Sequence, residues 1–173
     1  MNNFDSKILQ EVETIEQHFH AKSRVFGISS DQSGNNWATE NRLTPFTVIS
    51  GNGDFGTDEN DEAKVFGTDD TPFIPGQTHF DPGTLTVSNV SNDNMYIIRI
   101  IWGTGTMADA ISAGQYSARI FKFDTTNPQL TANELIIIGT PALRVGIKIW
   151  VQVKNTTDNA TLNFFIDAHG YTR

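Results

Sequence analysis

The stretch Leu143-Arg144-Val145-Gly146-Ile147-Lys148-Ile149-Trp150-Val151-Gln152-Val153-Lys154 alternates with a period of two. Leu143, Val145, Ile147, Ile149, Val151 and Val153 fall on one side. Arg144, Gly146, Lys148, Trp150, Gln152 and Lys154 fall on the other. Successive side chains of a strand point to opposite faces, so this pattern is that of a half-buried strand. After the polar run Asn155-Thr156-Thr157-Asp158-Asn159, the residues Leu162, Phe164, Ile166 and Ala168 again share a face. The pair predicts a long antiparallel hairpin with an apolar inner face, and with it an all-β body.

Upstream, the same reading marks strands at Phe46 to Ser50, Ala63 to Gly67, Gln77 to Phe80, Thr84 to Val90, Asn94 to Trp102, Tyr116 to Phe123 and Glu134 to Gly139. Turn-forming residues separate them, including Gly51-Asn52-Gly53, Asp81-Pro82-Gly83, Asn92-Asp93-Asn94 and Asn127-Pro128. Eight or nine short strands suit two packed sheets. The cysteine hallmark of an immunoglobulin domain is missing, and a jelly-roll-like antiparallel β-sandwich fits the count better. Asn94 to Trp102 is apolar on both faces apart from Arg99, which places it centrally in a sheet. Arg99 then requires a carboxylate or carbonyl partner, since an unpaired buried charge is costly.

Residues 45–173 are therefore the expected β-sandwich domain, and residues 1–44 an N-terminal α-helix with an extended arm. The helix is read over Ser6 to Lys22, where Ile8, Val12, Ile15 and Phe19 recur at intervals of four, three and four. That is the spacing of a coiled-coil seam. Acidic Asp5, Glu11 and Glu13 lie early and His18, His20, Lys22 and Arg24 late, matching the helix dipole. The stripe can pack on its own body, against sibling helices, or into another protein. Arg24 to Thr44 is polar and rich in Ser, Asn and Gly, and reads as a connecting arm without a strand.

Twelve Lys and Arg stand against 20 Asp and Glu, a net charge of −8. No three basic residues cluster, so direct binding to a phosphate backbone is not expected. With no cysteine there are no disulfides or thiolate metal sites. The N-terminal residues lack the basic and apolar regions of a signal peptide, and no apolar run is long enough to span a bilayer, so a soluble protein is expected.

Motifs that carry chemistry are weak. Gly103-Thr104-Gly105-Thr106-Met107-Ala108 matches a loose dinucleotide pattern and Asp124 follows about twenty residues later. Only Thr106 to Ala113 is available for the helix, however, and a parallel crossover needs more; a hairpin loop with one short helical turn is favoured. The acidic residues from Asp54 to Asp70 read as a solvated loop, with calcium binding the sharper alternative. His79 with Asp81, and Asp167 with His169, are i, i+2 pairs that each supply half a metal site, but no third ligand is indicated. No nucleophile elbow, Ser-x-x-Lys or His-Glu-x-x-His is present. Neither an enzyme nor a cofactor is expected.

The aromatics point elsewhere. Trp150, Phe165 and Tyr171 fall on the outer face of the terminal hairpin if its aliphatic face is inward. Phe121 and Phe123 share a face of their strand. An aromatic stripe outside a sheet is covered either by the same chain or by a partner. The expected interface residues are thus Ile8, Val12, Ile15, Phe19, Trp150, Phe165 and Tyr171, on a partly polar intersubunit surface.

The stretches Ile8-Leu9-Gln10-Glu11-Val12-Glu13-Thr14-Ile15-Glu16-Gln17-His18-Phe19-His20, Gly146 to Asn155 and Ala160 to Tyr171 resemble the auxiliary or decoration proteins of tailed-bacteriophage capsids. The resemblance covers both ends of the chain. It implies a non-enzymatic jelly roll, a homotrimer made in the bacterial cytoplasm and bound outside the capsid of the virion, with the major capsid protein as partner. It transfers no catalytic residue. The rival is a carbohydrate-binding or receptor-binding β-sandwich module of a tail or fibre, since aromatic platforms also bind sugars.

Overall fold

The computed structural model describes residues 22–28, 38–40, 44–55, 62–66, 78–124, 126, 134–144, 146–157 and 159–172. The helix read over Ser6 to Lys22, with Ile8, Val12, Ile15 and Phe19, lies outside them up to residue 21. So does most of the acidic segment 54–70.

The described residues are all-β apart from one short helix. The strands are β1 Lys22–Ile28, β2 Ala38–Glu40, β3 Phe46–Ile49, β4 Gly51–Asn52, β5 Glu62–Phe66, β6 His79–Val90 and β7 Asn94–Gly103. Helix α1 is Met107–Ser112, followed by β8 Tyr116–Phe123, β9 Glu134–Ile137, β10 Leu143–Arg144, β11 Lys148–Asn155 and β12 Thr161–Tyr171.

Strand β12 does what its alternation dictates. Leu162, Phe164, Ile166 and Ala168 are buried while Asn163, Phe165 and Asp167 are half-buried. It is the central strand of a seven-stranded sheet, pairing with β6 along one edge and with β3 and then β1 along the other. Strand β2 extends the sheet beyond β1, while β9 and β10 flank β6. The second sheet has five strands: β8, β7 and β11 side by side, with β5 and β4 on the far edge of β11. All pairs are antiparallel except β4 with β11. Inward residues of both sheets, among them Phe46, Leu85, Phe164, Tyr96, Ile100, Phe121 and Val151, form one hydrophobic cluster. Phe46 stacks on Phe164 at 5.4 Å and Tyr96 on Phe121 at 5.3 Å.

Three sequence expectations are corrected. First, Leu143 to Lys154 is not one strand, and it forms no hairpin with β12. Gly146, at φ +93°, breaks the run between β10 and β11. That left-handed backbone suits glycine. Strand β10 pairs with β6 in the seven-stranded sheet and β11 with β7 in the five-stranded one. Strands β11 and β12 therefore face each other across the core rather than sharing hydrogen bonds. The corner between them is pinned from inside: the Ala160 amide donates to Ser50 Oγ at 2.8 Å and Asn155 Nδ2 donates to it at 3.2 Å. Ser50 lies between β3 and β4, where the chain also changes sheet, so two crossings are tied at one point.

Second, Asp81-Pro82-Gly83 is no turn but the middle of the continuous strand β6. Pro82 falls between the stretches of β6 that pair with β10 and with β9, and opposite the register shift at Asp167/Ala168 of β12. A proline lacks the amide hydrogen for a ladder bond, and such an irregularity tolerates it.

Third, the arm Arg24 to Thr44 contributes β1 and β2 to the large sheet. Polar composition concealed both strands: the partner of β1, β12, lies more than a hundred residues away, and β2 pairs in turn with β1.

Candidate interaction surface

The outward face of the five-stranded sheet is built by register. In β7, Tyr96, Ile98 and Ile100 point into the core, so Met95, Ile97, Arg99 and Ile101 point away from it. The ladder then sets Ile97 between Ile120 and Lys154, Arg99 between Ala118 and Gln152, and Ile101 between Tyr116 and Trp150. Met95 pairs with Lys122 at the far end.

One end of this face is closed by the chain itself. Helix α1 begins with a capping box: Thr106 Oγ1 accepts from the Asp109 amide, and Asp109 Oδ2 accepts from the Thr106 amide. The Thr106 hydroxyl also donates to Asp109 Oδ2 at 2.6 Å, and that bond first, with the one from the Thr106 amide, holds the Asp109 carboxyl below its ordinary pKa. The helix lays Ala110 on Ile101 and Trp150, with Met107 and Ile111 at the margin. Gly103 makes the approach possible, because a Cβ there would stand 2.9 Å from that of Ala110. Strands β7 and β8 are antiparallel neighbours on either side of α1. The Gly103–Ala108 pattern is thus the loop of a hairpin, and no parallel crossover for a dinucleotide exists there.

The middle of the face holds Arg99. Its Nε and Nη2 donate to Gln152 Oε1 at 2.9 and 2.5 Å, which supplies the carbonyl partner expected from sequence. The guanidinium carbon lies 3.8 Å from the ring centroid of Phe55 and 5.7 Å from that of Tyr116. Partial burial lowers the Arg99 pKa and Tyr116 opposes the shift. Lys154 also approaches Phe55, with Nζ 5.0 Å from the ring centroid. These are cation–π distances.

The far end is open. Met95, Ile97 and Ile120 line a groove of about 240 Å³ with Gly53, Lys154 and Thr156. Met95 is 51% exposed and Ile120 66%. With Ile97 between them and Lys154 at the rim, these exposed side chains form a grouped apolar patch.

The residues expected at an interface do not share one surface. Trp150 is only 5% exposed, buried beneath α1, so its expected exposure is corrected: the same chain covers it. Tyr171 is 7% exposed and stacks on His79 at 5.6 Å. Phe165, half-buried, lies with Tyr171 on the outside of the seven-stranded sheet, on the opposite side of the molecule from Trp150. Phe121 and Phe123 face the core. The two His–Asp pairs meet through the β6–β12 ladder, where His169 pairs with Asp81 and Tyr171 with His79. Even so, among the described residues no three His, Asp or Glu are placed to hold a metal ion. No helix of the described residues is long and apolar enough to cross a membrane.

Sequence reasoning missed Met95, Ile97 and Ile120. The signal was present in a strand apolar on both sides, which was read only as central. Comparison of the sequence with protein-family models and with curated proteins returns no match.

Proposed function

We propose that this protein is a non-enzymatic structural component of a bacteriophage virion, an auxiliary or decoration protein that binds the outside of the capsid as a trimer. The observation that carries the reading is the open apolar groove of Met95, Ile97 and Ile120 on the outward face of the five-stranded sheet, a surface suited to contact. The resemblance of both ends of the chain to such proteins supplies the class.

Strand order supports the jelly-roll reading. One antiparallel layer runs β3, β12, β6, β9 and the other β5, β11, β7, β8. The chain changes layer between β3 and β4, β5 and β6, β6 and β7, β8 and β9, β10 and β11, and β11 and β12. Eight strands in two Greek keys give that order, and viral capsid domains use it. Residues 1–21, ahead of β1, would extend the body as the subunit contact, with Ile8, Val12, Ile15 and Phe19 as the apolar stripe. The partner on the particle is the major capsid protein, and the net charge of −8 keeps the unassembled chain soluble.

Quantitative peptide analysis of purified virions tests the role. Hundreds of copies per particle fit a shell protein, a dozen fit a vertex or tail, and none sinks the proposal. Light scattering tests the trimer; a strict monomer at tens of micromolar counts against it. The rival reading, glycan recognition, loses Trp150 as its platform. Tyr116, 43% exposed beside Arg99, is an aromatic that could serve it on this face. Saturable sugar binding abolished by Tyr116→Ala would favour that rival.

A further inference from the structure

We infer that the open groove on the five-stranded sheet receives the N-terminal segment, residues 4–19, of a neighbouring copy of this chain. The inference rests on the oligomer proposed above and names the surface that its apolar stripe meets.

The groove defines its partner chemically. It needs apolar side chains to cover Met95, Ile97 and Ile120, and negative charge to face Lys154 in its lining and Arg99 beside it on the same face, Lys122 being already paired with Asp124 at 3.0 Å. Two copies of this face would set cation against cation, so a symmetric face-to-face contact is disfavoured. Within the chain, residues 4–19 have both properties. They carry Asp5, Glu11, Glu13 and Glu16 against Lys7 alone, a balance of four acids to one base. Ile8, Val12, Ile15 and Phe19 form one stripe at helical spacing. A short amphipathic helix laid in an apolar groove is a recurring mode of recognition.

Reach decides which copy supplies it. Lys22 is fixed opposite Gly170, which pairs with Phe80 at the start of β6. The groove lies near the start of β7, at the opposite end of the layers. From Phe80 to Val87, about level with Ile97, β6 runs roughly 23 Å at 3.3 Å per residue, and the second sheet is about 10 Å away. The three residues from Phe19 to Lys22 span at most about 11 Å. A segment seated along its whole length, Phe19 included, therefore comes from another copy, and docking within one subunit would leave Phe19 outside the groove.

The test uses the full chain. Ile120 is 66% exposed in the groove, and Ile137, 69% exposed on β9 of the other sheet, serves as the control. Ile120→Glu is expected to dissociate the oligomer at concentrations where the parent is fully assembled, with a native far-ultraviolet circular dichroism spectrum and still-cooperative unfolding. Ile137→Glu is expected to leave assembly intact. Because the chain has no cysteine, single thiols can be introduced cleanly. Co-expressed Ile15→Cys and Ile120→Cys chains are expected to form a disulfide-linked dimer on oxidation. Homodimers of Ile15→Cys alone, with assembly indifferent to Ile120→Glu, would overturn the inference and leave the oligomer standing on helix-to-helix contact. Equal dissociation by Ile137→Glu would overturn it as a general charge effect. A cross-link confined to one chain in the double variant would overturn it in favour of self-docking. A monomeric parent would overturn both this inference and the oligomer.

Discussion

Arg99 shows how one side chain can be read from sequence and completed only by folding. A charge in an apolar strand has to be compensated, and the residue across the ladder, Gln152, presents a carbonyl oxygen to two of its donors. Arg99→Met removes both donors from a buried amide. That should destabilise the protein by about 1–3 kcal/mol, whereas the double change with Gln152→Leu should recover most of the loss, because removing both partners spares the penalty. Urea denaturation of the two single variants and the double variant checks this. Asp124 offers a second test. Its carboxylate accepts from Thr126 Oγ1 and amide and from Lys122, and these bonds, Thr126 first, depress its pKa to about 2. A depressed carboxylate contributes stability above its ordinary value of 3.8 and loses it as pH falls through about 2. An NMR titration should find that midpoint, and Thr126→Val should move it back toward 3.8.

At the level of elements, α1 explains why an expected contact residue became a structural one. A helix of six residues is too short to stand alone. Its capping box and the burial of Ala110 on Trp150 and Ile101 hold it. Gly103→Ala should push α1 away, since a new methyl would meet Ala110 Cβ at 2.9 Å. Overpacking of this kind typically costs about 1–3 kcal/mol. Tryptophan fluorescence should shift to the red as Trp150 gains water, and a variant with native emission and stability would contradict the role given to Gly103. Strand β8 and the helix that precedes it were visible from residue pattern because their contacts are local. Strands β1 and β2 were not, since β1 is paired by the distant β12 and β2 only by β1.

For the whole molecule, β12 is the organising strand. It pairs with β6, β1 and β3 and supplies Leu162, Phe164, Ile166 and Ala168 to the core. Truncation after Ala160 removes the centre of the large sheet and uncovers the inward residues of the small one. The expected result is loss of cooperative thermal unfolding and of near-ultraviolet circular dichroism. A truncated chain that melts sharply would show that the sheets do not depend on β12 as described.

The amino-acid order by itself determined which side chains turn inward. Alternation in Lys148–Asn155 and Thr161–Tyr171 reflects a property of each strand alone, so Ile149, Val151, Val153, Leu162, Phe164 and Ile166 were assigned correctly to the core. Tertiary structure decided what those strands pair with. A period of two says nothing about the neighbour, and only the left-handed bend at Gly146 and the corner tied by Ser50 send β10, β11 and β12 to alternate sheets. The same choice buried Trp150 and left Ile120 open, because which outward face is covered depends on where α1 can reach.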